Sequence, residues 1–364
     1  MIKIKIVHIQ LLPLLSGVQN MMLSILSSLD PDKYDIYVIS KSGGPMVDKV
    51  IELGYTHIPL NSLRRNISFM DVVAFASLFK IFKKYKFDIV HTHSSKTGFI
   101  GRIAARLANT PKIIHTVHGF PFHPYSKKIV KVIYTFLEKF AAHFCDFVVF
   151  VNNSERQMAI KEKIVSEKKA VTIYNGIDYS EQVIKKQDKQ NFVIGSCLRF
   201  WEQKNIIATV DVAVKVCHEN EFVKFIFIGD GSLFSEVKEM VCNAGLEERI
   251  LLPGWQNNVT EWFKEFDLFL LYSKWEGLPI SILEAMAYGL PIVASDIKGN
   301  NELVSSDNGV LVSVDEPAKL KDVLLELYNK SDLLDTWGGN SRKLIREKFA
   351  LSDFINNYLY LYEK

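Results

Sequence analysis

Trp275-Glu276-Gly277-Leu278-Pro279-Ile280-Ser281-Ile282-Leu283-Glu284 follows an apolar run, residues 267–272, that closes on Ser273. Beyond Glu284 the chain continues through Ala285-Met286-Ala287-Tyr288 and stops at Gly289-Leu290-Pro291. A short apolar run, a Gly-Leu-Pro elbow and an apolar stretch ended by glycine spell strand, turn and helix. Such a junction aims free backbone N–H groups and the positive end of the helix dipole at whatever lies over the sheet, so its natural guest is an anion. Glu276 and Glu284 frame the elbow and give it the look of a phosphate-and-sugar site. In isolation they read more readily as a loop acid and an exposed helix residue.

Outward from this elbow, strand-like runs alternate with helix-length segments over the whole chain. One series occupies residues 4–10, 34–40, 89–91, 112–117 and 147–151, and a second occupies 192–197, 224–228, 250–252, 266–272, 291–294 and 310–312. That rhythm predicts parallel sheets covered on both faces. Residues 179–190 between the series are polar and charged, with little to bury, and read as a linker. The expected division is therefore a first Rossmann-like domain over 1–178, the linker 179–190, a second such domain over 191–345, and a closing amphipathic helix over 346–364 that crosses back to brace the first domain. The fold class is α/β, with two doubly wound domains facing a central cleft and ligands expected at strand C-terminal ends.

Composition agrees. A chain of 364 residues with 48% hydrophobic content suits two cores rather than one. Cys145, Cys197, Cys217 and Cys242 show no C-x-x-C spacing, which predicts reduced thiols in a cytoplasmic protein. No run approaches the roughly 20 apolar residues of a membrane span, and residues 1–7 alternate like a strand instead of an export signal. Net charge is only +3, yet lysine and arginine outnumber acids 24 to 13 up to Asp178 and are outnumbered 20 to 28 beyond it. Lys80, Lys83, Lys84 and Lys86 end one predicted helix. Lys127, Lys128 and Lys131 open another beside Ile129, Val130, Val132, Ile133, Tyr134 and Phe136. Basic residues bordering an apolar helix suit an anionic lipid surface or a phosphorylated acceptor, and equally a solvated face.

Chemistry-bearing residues recur at predicted strand ends. Gly17, in Leu14-Leu15-Ser16-Gly17-Val18-Gln19, joins the first strand to the first helix. Tyr174-Asn175-Gly176-Ile177-Asp178 closes the first domain. Arg199 and Lys204 follow the first strand of the second domain, where two cations suit a diphosphate. Gly229-Asp230-Gly231-Ser232 follows the next strand and lets a helix start close to a ligand.

Together with His118 in His115-Thr116-Val117-His118-Gly119-Phe120 and the Glu276/Glu284 pair, these six signals stand in the order found in retaining glycosyltransferases of family 4, which the chain resembles from end to end. Asp88-Ile89-Val90-His91-Thr92-His93 and His118-Gly119-Phe120-Pro121-Phe122-His123 resemble bacterial enzymes that build capsule, O-antigen or lipid-linked glycans. The resemblance implies the two-domain GT-B architecture and transfer of a sugar from a UDP-linked donor to a glycan or polyprenyl-diphosphate-linked acceptor, with retention and without a metal or cofactor. By the same implication Arg199 and Lys204 neutralise the leaving diphosphate, Glu284 accepts from the nucleotide ribose, and Glu276 lies near the transferred sugar. Gly277, Leu278 and Pro279 present backbone to sugar and phosphate, with Gly229 and Gly231 beside them. His118 lies by donor sugar and acceptor, and Gly17 lets the diphosphate approach the first domain. One departure is Ser16-Gly17-Val18-Gln19, where many relatives carry two glycines and a glutamate. The implied place is cytoplasmic, peripheral on the membrane's inner face, with no nucleic-acid partner.

Other chemistries fit less well. Asp30-Pro31-Asp32 has the composition of a polar turn, not of a metal-binding D-x-D. His91 with His93 and His115 with His118 lack a carboxylate or cysteine at ligand spacing for zinc. A glycosidase would use Glu276 and Glu284 but not the two cations. Phe234 stands where a dinucleotide fingerprint wants its third glycine, and Ser95-Lys96-Thr97 lacks the glycine of a P-loop. A nucleotide-sugar isomerase of the same architecture is the main alternative, and transfer to an acceptor separates it from a transferase.

Overall fold

The computed structural model describes residues 3–64, 68–123, 125–179, 191–256 and 258–364. Two compact units divide the chain, Met1–Gly176 together with Ser352–Lys364, and Ile177–Leu351. In the first unit the order is β1 (Ile4–Ile9), α1 (Gly17–Ser27), β2 (Tyr34–Ser40), α2 (Pro45–Glu52), β3 (Thr56–Pro59), α3 (Met70–Tyr85), β4 (Ile89–His93), α4 (Ser95–Leu107), β5 (Lys112–Val117), α5 (Lys128–Ala141), β6 (Phe147–Phe150), α6 (Asn153–Lys161) and β7 (Ala170–Thr172). The second unit runs β8 (Phe192–Cys197), α7 (Ile206–Glu219), β9 (Val223–Ile228), α8 (Phe234–Asn243), β10 (Ile250–Gly254), α9 (Thr260–Phe263), β11 (Leu268–Leu271), α10 (Ile280–Ala287), β12 (Ile292–Ser295), β13 (Gly309–Val312), α11 (Pro317–Leu327) and α12 (Ser331–Lys348). A last helix, α13 (Leu351–Glu363), belongs to the first unit from Ser352 onward.

Both sheets are wholly parallel, ordered β3-β2-β1-β4-β5-β6-β7 and β10-β9-β8-β11-β12-β13. Each therefore has a point where the strand order reverses, between β1 and β4 in one and between β8 and β11 in the other, and doubly wound sheets bind ligands outside the strand ends there. Central strands such as Phe225 to Ile228 and Leu268 to Leu271 are buried on both faces, which is why they read as continuous apolar runs. The edge strand β3 gave no such run and was not expected, whereas β7 stands just ahead of the Tyr174 turn that was read as ending the domain's last strand.

The boundaries differ from those drawn on sequence. α12 runs through position 346 to Lys348, and the chain then turns at Phe349 and Ala350 before α13 starts. At that turn Ile177 N–H donates to Phe349 O at 2.9 Å and Leu351 N–H donates to Ile177 O at 3.0 Å. A two-stranded bridge thus ties the two places where the chain passes between units, and it sets the divisions at 176/177 and 351/352 instead of 178/179 and 345/346. Residues 180–190, read as linker, lie outside the described residues.

Candidate functional site

In the second unit, two loops flank the reversal point. Residues 198–205 leave β8, and residues 273–279 leave β11. They are stitched together three times: Lys274 N–H donates to Gln203 O at 2.8 Å, Gln203 Nε2 donates to Trp275 O at 3.0 Å, and Lys204 Nζ donates to Glu276 Oε1 at 2.5 Å. Lys204 and Glu276 are 16% and 7% exposed, so this is an ion pair held out of water. Arg199 is exposed, with its guanidinium 4.8 Å from the Trp201 ring centre. Of the two expected cations, one is thus held by a carboxylate and the other lies over an aromatic face.

Leu278 and Pro279 are buried, and Pro279 stands just ahead of α10 in an extended conformation with no side chain capping the helix. One turn into α10, Glu284 is largely buried, and burial pushes its carboxyl up to about 7. Its carboxylate has no hydrogen-bond or ion-pair partner among the described residues, so it is an acceptor without a donor. Nearby burial and the Glu284 charge push the Cys197 thiol up.

The two glycines after β9 pack closely against the neighbouring loop. Gly229 has φ +139°, and a Cβ there would come within 1.8 Å of Leu198 O. A Cβ on Gly231 would come within 2.6 Å of Phe200 O. Their bareness lets this loop press against residues 198–201, with Phe200 N–H donating to Asp230 O at 3.0 Å. They shape the Arg199 loop from behind.

Sequence reasoning missed two supports. Gly299, at φ +90°, leaves only 2.1 Å between a would-be Cβ and Gly277 O, so the loop after β12 abuts the elbow. Gln203 locks the elbow by binding its main chain, accepting from Lys274 N–H through its carbonyl and donating from its side-chain amide to Trp275 O. Neither has a sequence signature, because both act on main chain.

In the first unit, Gly17 is not in the connecting loop but is the first residue of α1, with Ser16 ahead of it donating to the Gln19 side chain. Asp30 accepts from Asp32 N–H at 2.9 Å, a turn closing on itself. His118, half-buried just after β5, points Nε2 at His93 Nδ1 at 3.1 Å. Register explains the company it keeps. His8 pairs with His91 across β1 and β4, and His93 with Thr116 across β4 and β5, so side chains two apart along each strand line one face of the sheet. His8, unsuspected from sequence, brings three histidines to this face, each with one nitrogen within 4.8 Å of the others. All six of their ring nitrogens are engaged: His8 with His93 and Tyr362, His91 with Tyr362 and Thr116, His93 with His8 and His118. A cation there would have to break several of these bonds. Burial pushes His8 down to about 3 and His118 down to about 4, and pushes His91 and His93 down as well, so the cluster is neutral.

Residues 15–181 match the family described as Glycosyltransferase Family 4, and residues 179–344 match Glycosyl transferases group 1. The UDP-Gal:alpha-D-GlcNAc-diphosphoundecaprenol alpha-1,3-galactosyltransferase of Escherichia coli is 37% identical over 99% of this chain and 97% of its own. The chain belongs to glycosyltransferase family 4. This glycosyltransferase is also 26% identical to the N-acetyl-alpha-D-glucosaminyl L-malate synthase of Bacillus anthracis, over 80% of this chain and 78% of that one. Its fold matches Anabaena Alr3699/HepE in complex with UDP and glucose at a TM-score of 0.84, with 18% identity and 99% and 100% of the two chains covered. The lipopolysaccharide outer core galactosyltransferase WaaB matches at 0.75, with 19% identity over 98% and 99%. Two parallel-sheet, Rossmann-like units are thus the GT-B architecture.

Proposed function

We propose that this glycosyltransferase moves a hexose, with galactose the first candidate, from a UDP-linked donor to a polyprenyl-diphosphate-linked glycan during cell-surface polysaccharide assembly, retaining the anomeric configuration. The observation that carries the reading is the Lys204–Glu276 pair joining the two loops at the reversal point of the second sheet. It puts a pre-oriented cation where a nucleoside diphosphate belongs, and charge aimed at a leaving group is usually the largest catalytic contribution. Arg199 and the open start of α10 add positive potential, so the leaving diphosphate is stabilised by protein charge and no metal is required. Glu284, an acceptor lacking a donor, suits the ribose hydroxyls. Glu276 steadies Lys204 and reaches toward the sugar, and His118 hydrogen-bonds a sugar or acceptor oxygen from the first unit. No side chain is placed here as a nucleophile toward the anomeric carbon. The acceptor attacks on the face the diphosphate leaves, and a diphosphate oxygen takes its proton.

A membrane-embedded acceptor asks for a membrane-facing surface, and α5 supplies one. Ile129, Val132, Ile133, Phe136 and Phe140 are exposed at spacings of three, four, seven and eleven from Ile129, one stripe along the helix. Lys127, Lys128 and Lys139 border it, a pattern suited to lying in an anionic interface. No helix among the described residues is long and apolar enough to cross a membrane.

The test is incubation with UDP-galactose and synthetic GlcNAc-diphosphoundecaprenol. A product heavier by one hexose and α-linked supports the reading. Conversion of the UDP-sugar to its epimer, with acceptor untouched, overturns it in favour of an isomerase.

A further inference from the structure

Seven side chains of the first unit form one unbroken hydrogen-bonded line: His118, His93, His8, Tyr362, His91, Thr116 and Tyr358. Its successive contacts are 3.1, 3.0, 3.0, 2.8, 2.8 and 3.0 Å. The line starts at the proposed sugar contact and ends on α13, where Tyr358 and Tyr362 stand four residues apart on one helix face.

A neutral imidazole donates from one nitrogen and accepts at the other, and a hydroxyl does likewise. With burial keeping all four rings neutral and both phenols protonated, each ring donates at one nitrogen and accepts at the other, while each hydroxyl donates once and can accept twice. Letting Tyr362 or Thr116 accept from both sides leaves that hydroxyl's own proton without an acceptor among the described residues, which leaves two arrangements with all protons in one sense to compare. If the protons run toward α13, Tyr358, which is 1% exposed, accepts from Thr116, and its own O–H has no acceptor among the described residues. If they run toward His118, Tyr358 donates to Thr116, Thr116 to His91, His91 to Tyr362, Tyr362 to His8, His8 to His93 and His93 to His118. Every buried donor is then satisfied, and a buried donor left unmade is the costly alternative. His118 Nε2 becomes the acceptor, which forces its proton onto Nδ1, the nitrogen that has no partner among the described residues.

We propose that Tyr362 is a positioning residue of the transfer reaction: as the hydroxyl that joins His8 to the rest of this buried line it fixes His118 as the Nδ1–H tautomer, so that it meets its substrate oxygen as a hydrogen-bond donor and not as an acceptor. The chemical class it takes is therefore an oxygen with a lone pair to offer, such as a sugar hydroxyl or ring oxygen. This rests on the placing of His118 in the transfer reaction.

The tautomer is read directly from long-range 1H–15N spectra of full-length protein labelled with 15N-histidine, with His118 assigned by its loss in His118→Gln. The wild type should show His118 protonated at Nδ1. In Tyr362→Phe, which keeps the ring and leaves one nitrogen of His8 and one of His91 without this partner whichever way the protons run, a protonated Nε2 population of His118 should appear, and kcat with UDP-galactose should fall at least about twofold, since an even tautomer mixture leaves half the molecules competent. KM for UDP-galactose and the melting profile of the second unit should hold. His118 protonated at Nε2 in the wild type overturns the proposal, and so does a Tyr362→Phe protein whose spectrum and kcat match the wild type. A wild type that transfers nothing from UDP-galactose while showing Nδ1–H overturns the reaction assigned above and leaves the polarised line standing, so the two failures are distinguishable.

Discussion

Lys204 Nζ sits 2.5 Å from Glu276 Oε1, and the two residues come from loops that are 72 positions apart in sequence. Removing the lysine leaves a mostly buried carboxylate alone and takes away the charge assigned to the diphosphate. Lys204→Ala should lower kcat/KM by roughly 10²–10³-fold. Steady-state transfer kinetics check this, and unchanged turnover would take Lys204 out of the site.

Glu284 makes stability and binding respond to pH in opposite senses. The unfolded chain ionises this group near 4.5, whereas burial holds the folded one protonated up to about 7. Between those values the folded state holds the extra proton, so stability falls as the pH rises through that window, by up to about 3 kcal/mol. Glu284→Gln should therefore be more stable than wild type at pH 8 and no different at pH 4 in urea titrations. UDP affinity, if the carboxylate accepts from the ribose as proposed, should weaken below pH 7 in wild type and show no such step in the variant.

Gly229 has no room for a methyl group. Gly229→Ala would drive Cβ into Leu198 O while keeping a positive φ, costing about 2 kcal/mol or more. Because Arg199 rides on the displaced segment, calorimetric UDP binding should weaken along with urea stability. A variant that lost stability and kept full affinity would detach this loop from the nucleotide.

Beneath the exposed stripe of α5 lies a buried ion pair, Arg102 Nη2 to Glu138 Oε2 at 2.6 Å, with Arg102 Nε also donating to Gly98 O. Glu138 and Ala141 are the buried residues of α5, so the helix is anchored by charge and turns its large apolar residues outward. Glu138→Ala strands a guanidinium in the core and should cost roughly 3–5 kcal/mol, whereas Arg102→Met with Glu138→Leu should recover most of it. Denaturant midpoints of the single and double variants decide this.

Phe136 and Val132 supply the test of the membrane surface. Each large apolar side chain transferred to lipid is worth about 1.5–3 kcal/mol, so Phe136→Ser should weaken co-sedimentation with phosphatidylglycerol vesicles by at least tenfold. Since the wild-type side chain is exposed, thermal stability should not drop. Equal sedimentation of both proteins would leave α5 as an ordinary surface.

The central strands, such as the run ending at Tyr272, were legible because burial on both faces leaves no alternation to confuse them. β3 escaped because an edge strand of four residues needs no continuous apolar run. The Glu276 elbow and the Arg199–Lys204 spacing were legible as local patterns. Gln203 and Gly299 were not, since they act through carbonyls that any residue carries. His8 is the sharpest case. Its partners come from β4 and from α13, and only strand order and register bring position 8 beside 91, 93 and 362. The closing helix read as amphipathic, but nothing in that pattern says that its Tyr362 hydroxyl ends on two histidines and its Tyr358 hydroxyl on Thr116.

The first unit is interrupted in sequence by the whole of the second. On a ribosome adding about 5–20 residues per second, roughly 10–35 s pass between the emergence of position 176 and that of Tyr358. For that interval His8, His91 and Thr116 have been made while the hydroxyls that complete their bonds do not yet exist. The uninterrupted second unit can close its core as it emerges, and the first must wait. A nascent chain stopped short of α13 would carry His118 and the strand histidines without the hydroxyls proposed to polarise them.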